Sequence, residues 1–109
     1  MTRRAPPAVP EDVLDVARRV ASIIRRVTGG QDYRVLLFGS WAAGRAVEQS
    51  DIDIGILGPS ELDPAAMVEI REACEALPTL RAVDLVDLAG APATLRRVAV
   101  TEGFEVPPA

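Results

Sequence analysis

Two aspartates interrupt the most apolar stretch of the sequence. Val35-Leu36-Leu37-Phe38 leads into Gly39-Ser40, ten residues follow, and Asp51-Ile52-Asp53-Ile54-Gly55-Ile56-Leu57 then sets carboxylates at alternating positions of a second apolar run. On a strand, side chains two residues apart leave the same face, with α carbons about 6.5 to 7 Å apart. Asp51 and Asp53 therefore point the same way, and their like charges repel unless a cation lies between them. The ions of a two-metal site stand about 3.5 to 4 Å apart, so carboxylates at this spacing can grip both while a third, from a neighbouring strand, completes the set. Ile52, Ile54 and Ile56 take the opposite face, which belongs to the core, and the aspartate face is expected to be open.

Asp84, in Ala82-Val83-Asp84-Leu85-Val86-Asp87-Leu88, is the candidate for the third carboxylate. Asp84 and Asp87 lie three residues apart and point to opposite faces of a regular strand, so only one of them joins the cluster. Asp84 sits mid-strand, where burial makes an unpaired charge costly, whereas Asp87 lies near the end, within reach of solvent. Gly39-Ser40 answers a different need. In a chain without lysine, a phosphate group must be held by backbone amides, hydroxyls, arginine and metal. A helix N-terminus directly after a strand offers the first two, and glycine lets the backbone come close. Gly-Ser at such a turn is common in proteins with no ligand. Joined to Asp-x-Asp ten residues on and an aspartate on a later strand, it is far more specific.

The missing residue types narrow the chemistry further. With no histidine and no lysine, the chain has no Ser-His triad, no Schiff base and no phosphate-binding lysine. Catalysis has to rest on carboxylates, hydroxyls, arginines or metal. A net charge of -4 argues against broad binding to nucleic acid and fits a cationic partner surface or a metal-chelated anionic ligand. The lone Cys74 has no partner for a disulfide and no histidine with which to build a zinc site, so it reads as a small apolar filler on a helix. No apolar run approaches the roughly 18 residues of a membrane span. Met1-Thr2-Arg3-Arg4-Ala5-Pro6-Pro7 lacks the apolar core of a signal peptide, and the expectation is a cytoplasmic protein that does not enter a membrane.

The elements that must position these groups follow from periodicity. The length of 109 residues fits one domain over 1–109, with residues 1–10 a proline-rich lead-in. Val13, Val16, Val20, Ile23, Ile24 and Val27 recur every three or four positions from Glu11, with acids in the first turns and Arg25-Arg26 in the last. This predicts an amphipathic helix stopped by Gly29-Gly30. Arg18-Arg19 and Arg25-Arg26 read as its solvated face. Tyr33 to Phe38 predicts a central strand buried on both faces, and residues 41–46 a turn or two of helix after Ser40. Strands are expected at 51–57 and from Arg81 to Leu88. Between them Asp63-Pro64 opens a helix running through Ala76, with Ala66, Met67, Ile70, Ala73, Cys74 and Leu77 on its apolar stripe. A last helix from about Pro92 to Gly103 and a short edge strand at Phe104-Glu105-Val106 complete the pattern.

Leu37-Phe38-Gly39-Ser40, Gly44, Ser50-Asp51-Ile52-Asp53-Ile54 and Val83-Asp84-Leu85-Val86-Asp87-Leu88, in this order, resemble the minimal nucleotidyltransferase family of the DNA polymerase beta superfamily. The resemblance spans residues 33–106. It implies an α/β (α+β) fold with a small mixed β-sheet and helices packed on one face. The other face would carry Asp51, Asp53 and Asp84 as ligands of two magnesium ions and as the catalytic carboxylates. Gly39 and Ser40 would position ATP. Many proteins of this kind resemble antitoxins paired with a HEPN-domain ribonuclease, which they silence by transferring AMP to a tyrosine hydroxyl. A HEPN-type partner in a hetero-oligomer, or a homo-oligomer, is the implied assembly. Two other readings stand beside it: transfer to a small-molecule hydroxyl, and an antitoxin that acts by binding alone. The family often carries arginine in the turn after Gly-Ser, where this chain has Trp41-Ala42-Ala43. Arg45 is the candidate replacement, and Trp41 is read either as a cap on the core edge or as a contact to base or partner.

Overall fold

In the computed structural model, which describes residues 9–30 and 32–108, the first helix is α1 (Glu11–Thr28). The expected lead-in lies outside the described residues except for Val9 and Pro10. Acids in the first turn and Arg25 and Arg26 in the last complement the helix dipole. Gly29, at φ 75°, closes the helix by donating its N–H to the Arg25 carbonyl. Val13, Val16, Ala17, Val20, Ala21, Ile23 and Ile24 form the buried stripe. Arg18 pairs with Glu11 at 2.9 Å and Arg19 with Asp15 at 3.0 Å on the solvated side, where such pairs add little to stability.

Four strands form one mixed sheet in the order β3-β2-β1-β4. β1 (Arg34–Phe38) runs antiparallel to β2 (Ile52–Leu57) and to the two-residue β4 (Phe104–Glu105), while β2 runs parallel to β3 (Val83–Asp87). The unbroken apolar run of β1 is explained by its central place. Val35 and Leu37 enter one core with Ile52, Ile54, Ile56 and Leu85, and Leu36 and Phe38 enter another. The larger core lies under α1 and α3 (Pro64–Glu75), with Ile70 and Cys74 buried and Met67, Ala73 and Leu77 packed against them. Pro64 opens α3 as expected, although the Asp63 side chain makes no capping bond. Cys74 fills space, and burial pushes its thiol up to about 11.

The mixed α/β fold agrees with the sequence reading, and one layer of it differs. Helices were expected on a single face, and that holds for α1 and α3 but not for α4 (Ala93–Glu102). Leu36 and Phe38 stand on the aspartate face and need cover. Ala99 of α4 and Leu88 of the 3-10 turn Leu88–Gly90 supply it. Gly55 lies beneath this cover, where a Cβ would stand 2.6 Å from a Leu88 methyl. The aspartate face is thus open only at its Asp53 end. Strand bounds also tighten: Asp51 precedes β2, and Leu88 has already turned out of β3. Among the described residues no helix is long and apolar enough to cross a membrane.

Candidate functional site

Strand directions gather the distant motifs. Because β1 is antiparallel to β2 and β2 parallel to β3, the end of β1 meets the starts of the other two. Phe38 stands opposite Asp53, and Asp53 opposite Asp84. The chain leaves β1 at Gly39 with φ 76° and ψ -154°, a conformation essentially restricted to glycine. A Cβ there would stand 2.8 Å from Cγ of Asp53 and closer still to its Oδ2. Gly39 is therefore required twice, by its dihedral and by the carboxylate packed against it. Ser40 opens the short helix α2 (Ser40–Ala43), in which the Ala43 N–H donates to the Gly39 carbonyl at 3.0 Å. Gly44, at φ 76°, ends it by donating to the Ser40 carbonyl.

The return from α2 to Asp51 is held by Trp41. Its side chain is buried in the larger core, and its Nε1–H donates to the Ser50 carbonyl at 3.1 Å, one residue before Asp51. Of the two readings of Trp41, the structure therefore supports the cap on the core edge. Ser50 Oγ accepts the Val47 N–H at 2.9 Å, which turns the loop back toward β2. The Ile52 N–H donates to the Ala82 carbonyl at 2.8 Å and joins the entries of β2 and β3. Arg45 is exposed and makes no ion pair among the described residues.

The carboxylates are unequal. Asp53 is half-buried, while Asp51 and Asp84 are exposed. Burial pushes the Asp53 carboxyl up to about 6, helped by the charges of Asp84 and Asp51 and by a hydrogen bond with Asp84. Asp84 reaches Asp53 through register, although the burial expected of it is absent because β3 is an edge strand. Asp87 stands opposite Ile56 on the other face. It is not left to solvent: it accepts the Leu62 N–H at 2.7 Å and the Ala89 N–H at 3.3 Å, tying two loops together. Among the described residues, no three acidic, histidine or cysteine side chains are gathered closely enough to hold a metal ion by themselves. Asp53 and Asp84 nonetheless fit a hard cation. Magnesium is commonly held by one or two carboxylates together with substrate phosphates and water, and a cation between the pair would relieve the repulsion that adds to the effect of burial on Asp53.

One contributor had no sequence signal. Arg81 is one of twelve arginines, and its partners lie far away along the chain, at positions 12, 41 and 48. Only a three-dimensional fold brings them together.

A comparison with protein families matches residues 33–106 to polymerase beta nucleotidyltransferases. The chain belongs to this family. The matched segment contains the whole sheet and α2 to α4, and α1 lies outside it. Solved structures agree. A mutant form of the toxin-antitoxin MntA-HpeT is 29% identical over 83% of this chain and 71% of that one, with a TM-score of 0.63. A toxin-antitoxin structure with AMP-PNP is 32% identical over 83% of this chain and 73% of that one, with a TM-score of 0.59. The MNT antitoxin in complex with the tri-AMPylated HEPN toxin of Shewanella oneidensis is 27% identical over 89% of this chain and 73% of that one, with a TM-score of 0.63. No curated protein sequence matches the chain. In this polymerase beta nucleotidyltransferase domain, Gly39 and Asp53 meet at the open end of the sheet.

Proposed function

We propose that this protein is the antitoxin of a toxin-antitoxin pair and that it transfers AMP from ATP to a tyrosine hydroxyl of a HEPN-type ribonuclease. The observation that carries this reading is the packing of Gly39 directly on Asp53, with Asp84 in register beside it. One end of one sheet thereby joins the glycine turn to a carboxylate pair. The structures with AMP-PNP and with an AMPylated HEPN toxin support the choice of nucleotide and acceptor.

In this mechanism the Gly39-Ser40 turn holds the triphosphate through backbone amides and the Ser40 hydroxyl. Asp51, Asp53 and Asp84 would hold two magnesium ions, whose chemistry is to neutralise phosphate charge and make the attacking hydroxyl more acidic. Asp84, exposed at the rim, takes the proton of that hydroxyl. The hydroxyl oxygen of the tyrosine then bonds to the α-phosphorus, the bond from that phosphorus to the oxygen bridging it to the β-phosphorus breaks, and pyrophosphate leaves. The open aspartate end admits a side chain of another protein. Incubation with labelled ATP, magnesium and a HEPN-type partner tests the proposal: wild type labels the partner, and equal labelling by Asp53→Asn would sink it.

Neutralisation by binding alone is favoured by one observation. Trp41 stands where the family often has arginine, and its side chain is committed to the core and to Ser50, so that position offers phosphate nothing. Full neutralisation of the partner by the double variant Asp51→Asn/Asp53→Asn, at native levels, would establish occlusion.

A further inference from the structure

We infer that Arg81 is a positioning residue that holds the loop before β2, and with it Asp51, in place against Asp53 and Asp84. The side chain of Arg81 is only 15% exposed, although its guanidinium is always charged. It is satisfied from three directions. Nε donates to Asp12 Oδ2 of α1 at 2.7 Å, one terminal nitrogen donates to the Glu48 carbonyl at 2.9 Å, and the other lies 3.6 Å from the Glu48 carboxylate. Its Cζ also stands 5.2 Å from the centre of the Trp41 ring, within cation–π range.

These contacts form a chain that leads to the site. Trp41, stacked under Arg81, holds the Ser50 carbonyl next to Asp51. Glu48, three residues before Asp51, is held through both its backbone and its side chain. Arg81 itself lies two residues before β3 and three before Asp84, and the Ala82 carbonyl beside it accepts the Ile52 N–H. One guanidinium thus joins the start of α1, the loop carrying Asp51 and the strand carrying Asp84. The bond to Arg81 holds the Asp12 carboxyl below its ordinary range, as expected of a carboxylate kept ionised by a guanidinium. Asp12 lies outside the segment matched to the family. The tie from Arg81 to α1 thus lies apart from the contacts that lead to Asp51.

A role in turnover rests on the nucleotidyl transfer proposed above, and the experiment separates the two. Trp41 is the only tryptophan in the chain, so its emission reports the clamp directly in protein without nucleotide. In Arg81→Gln, the Trp41 emission shifts to the red, amide exchange across residues 46–51 accelerates, and kcat/KM for ATP falls about tenfold or more, chiefly through KM. Arg81→Lys, which keeps the charge over the ring but loses the fork, recovers part of each change; it carries the test if Arg81→Gln does not fold. Asp12→Asn, which removes only the tie to α1, keeps kcat/KM within about twofold. Unchanged emission and exchange in Arg81→Gln overturn the clamp. An equal loss of kcat/KM in Asp12→Asn overturns it as well, by making Arg81 a general stabiliser. If wild type labels no partner, nucleotidyl transfer falls, while emission and exchange still decide the clamp.

Discussion

Gly39 and Asp53 occupy one small volume, and each limits the other. Gly39→Ala places a methyl group against the Asp53 carboxylate at a positive φ, so both conformation and space oppose it. The expected cost is about 1 to 3 kcal/mol of stability, with transfer activity reduced far more than the fraction folded; denaturant titration beside a labelling assay separates the two. Asp53 carries its own pH signature. With its carboxyl at about 6 in the folded chain against 3.8 as the ordinary value, the folded state binds more protons than the unfolded state between those limits. Asp53 therefore opposes folding increasingly as pH rises through that window, and fully above it. Asp53→Asn is expected to melt higher than wild type at pH 7.5, by roughly 1 kcal/mol or a few degrees once solvent screening is allowed for. The advantage vanishes near pH 4. A higher melting temperature for wild type at pH 7.5 without divalent cation would contradict the burial and repulsion that raise Asp53. The choice of Asp84 over Asp87 as the neighbour of Asp53 was legible because strand periodicity is local, whereas Asp51, expected on the same strand, precedes it. The exposure of Asp84 was not, because nothing in its neighbours says that β3 lies at a sheet edge.

Among the elements, legibility follows how locally each is determined. α1 announces itself through its apolar stripe, dipole-matched charges and closing glycine, and β1 through the apolar run from Val35 to Phe38. The position of α4 has no such signal. Its Val98 and Val100 are exposed, and it contributes the small buried Ala99 to the second core, so its stripe is too thin to show which sheet face it covers. That choice is made by Leu36 and Phe38, some sixty residues earlier in the chain, which need cover. α2 is too short for periodicity, and the hydrogen bond from Trp41 to Ser50 fixes its relation to Asp51. Trp41→Phe keeps most of the ring in the core and deletes that bond. It is expected to cost about 1 kcal/mol of stability and to loosen residues 46–51, as hydrogen exchange would register. Protection unchanged in that loop would show that Trp41 acts by packing alone.

At the scale of the molecule, the chain is an acidic nucleotidyltransferase domain whose carboxylates lie at an open sheet end, beside two loops that bring exposed Val47 and Leu80 to the surface. The absence of lysine and histidine leaves carboxylates, hydroxyls, arginines or metal for catalysis, because each missing side chain removes whole reaction classes. The most direct measurement is the intact mass of a HEPN-type toxin purified after co-expression with wild type or with Asp53→Asn. Adenylyl groups on a tyrosine of the toxin with wild type and none with the variant are expected. Equal modification with both proteins, or none with either, would contradict AMP transfer by Asp51, Asp53 and Asp84.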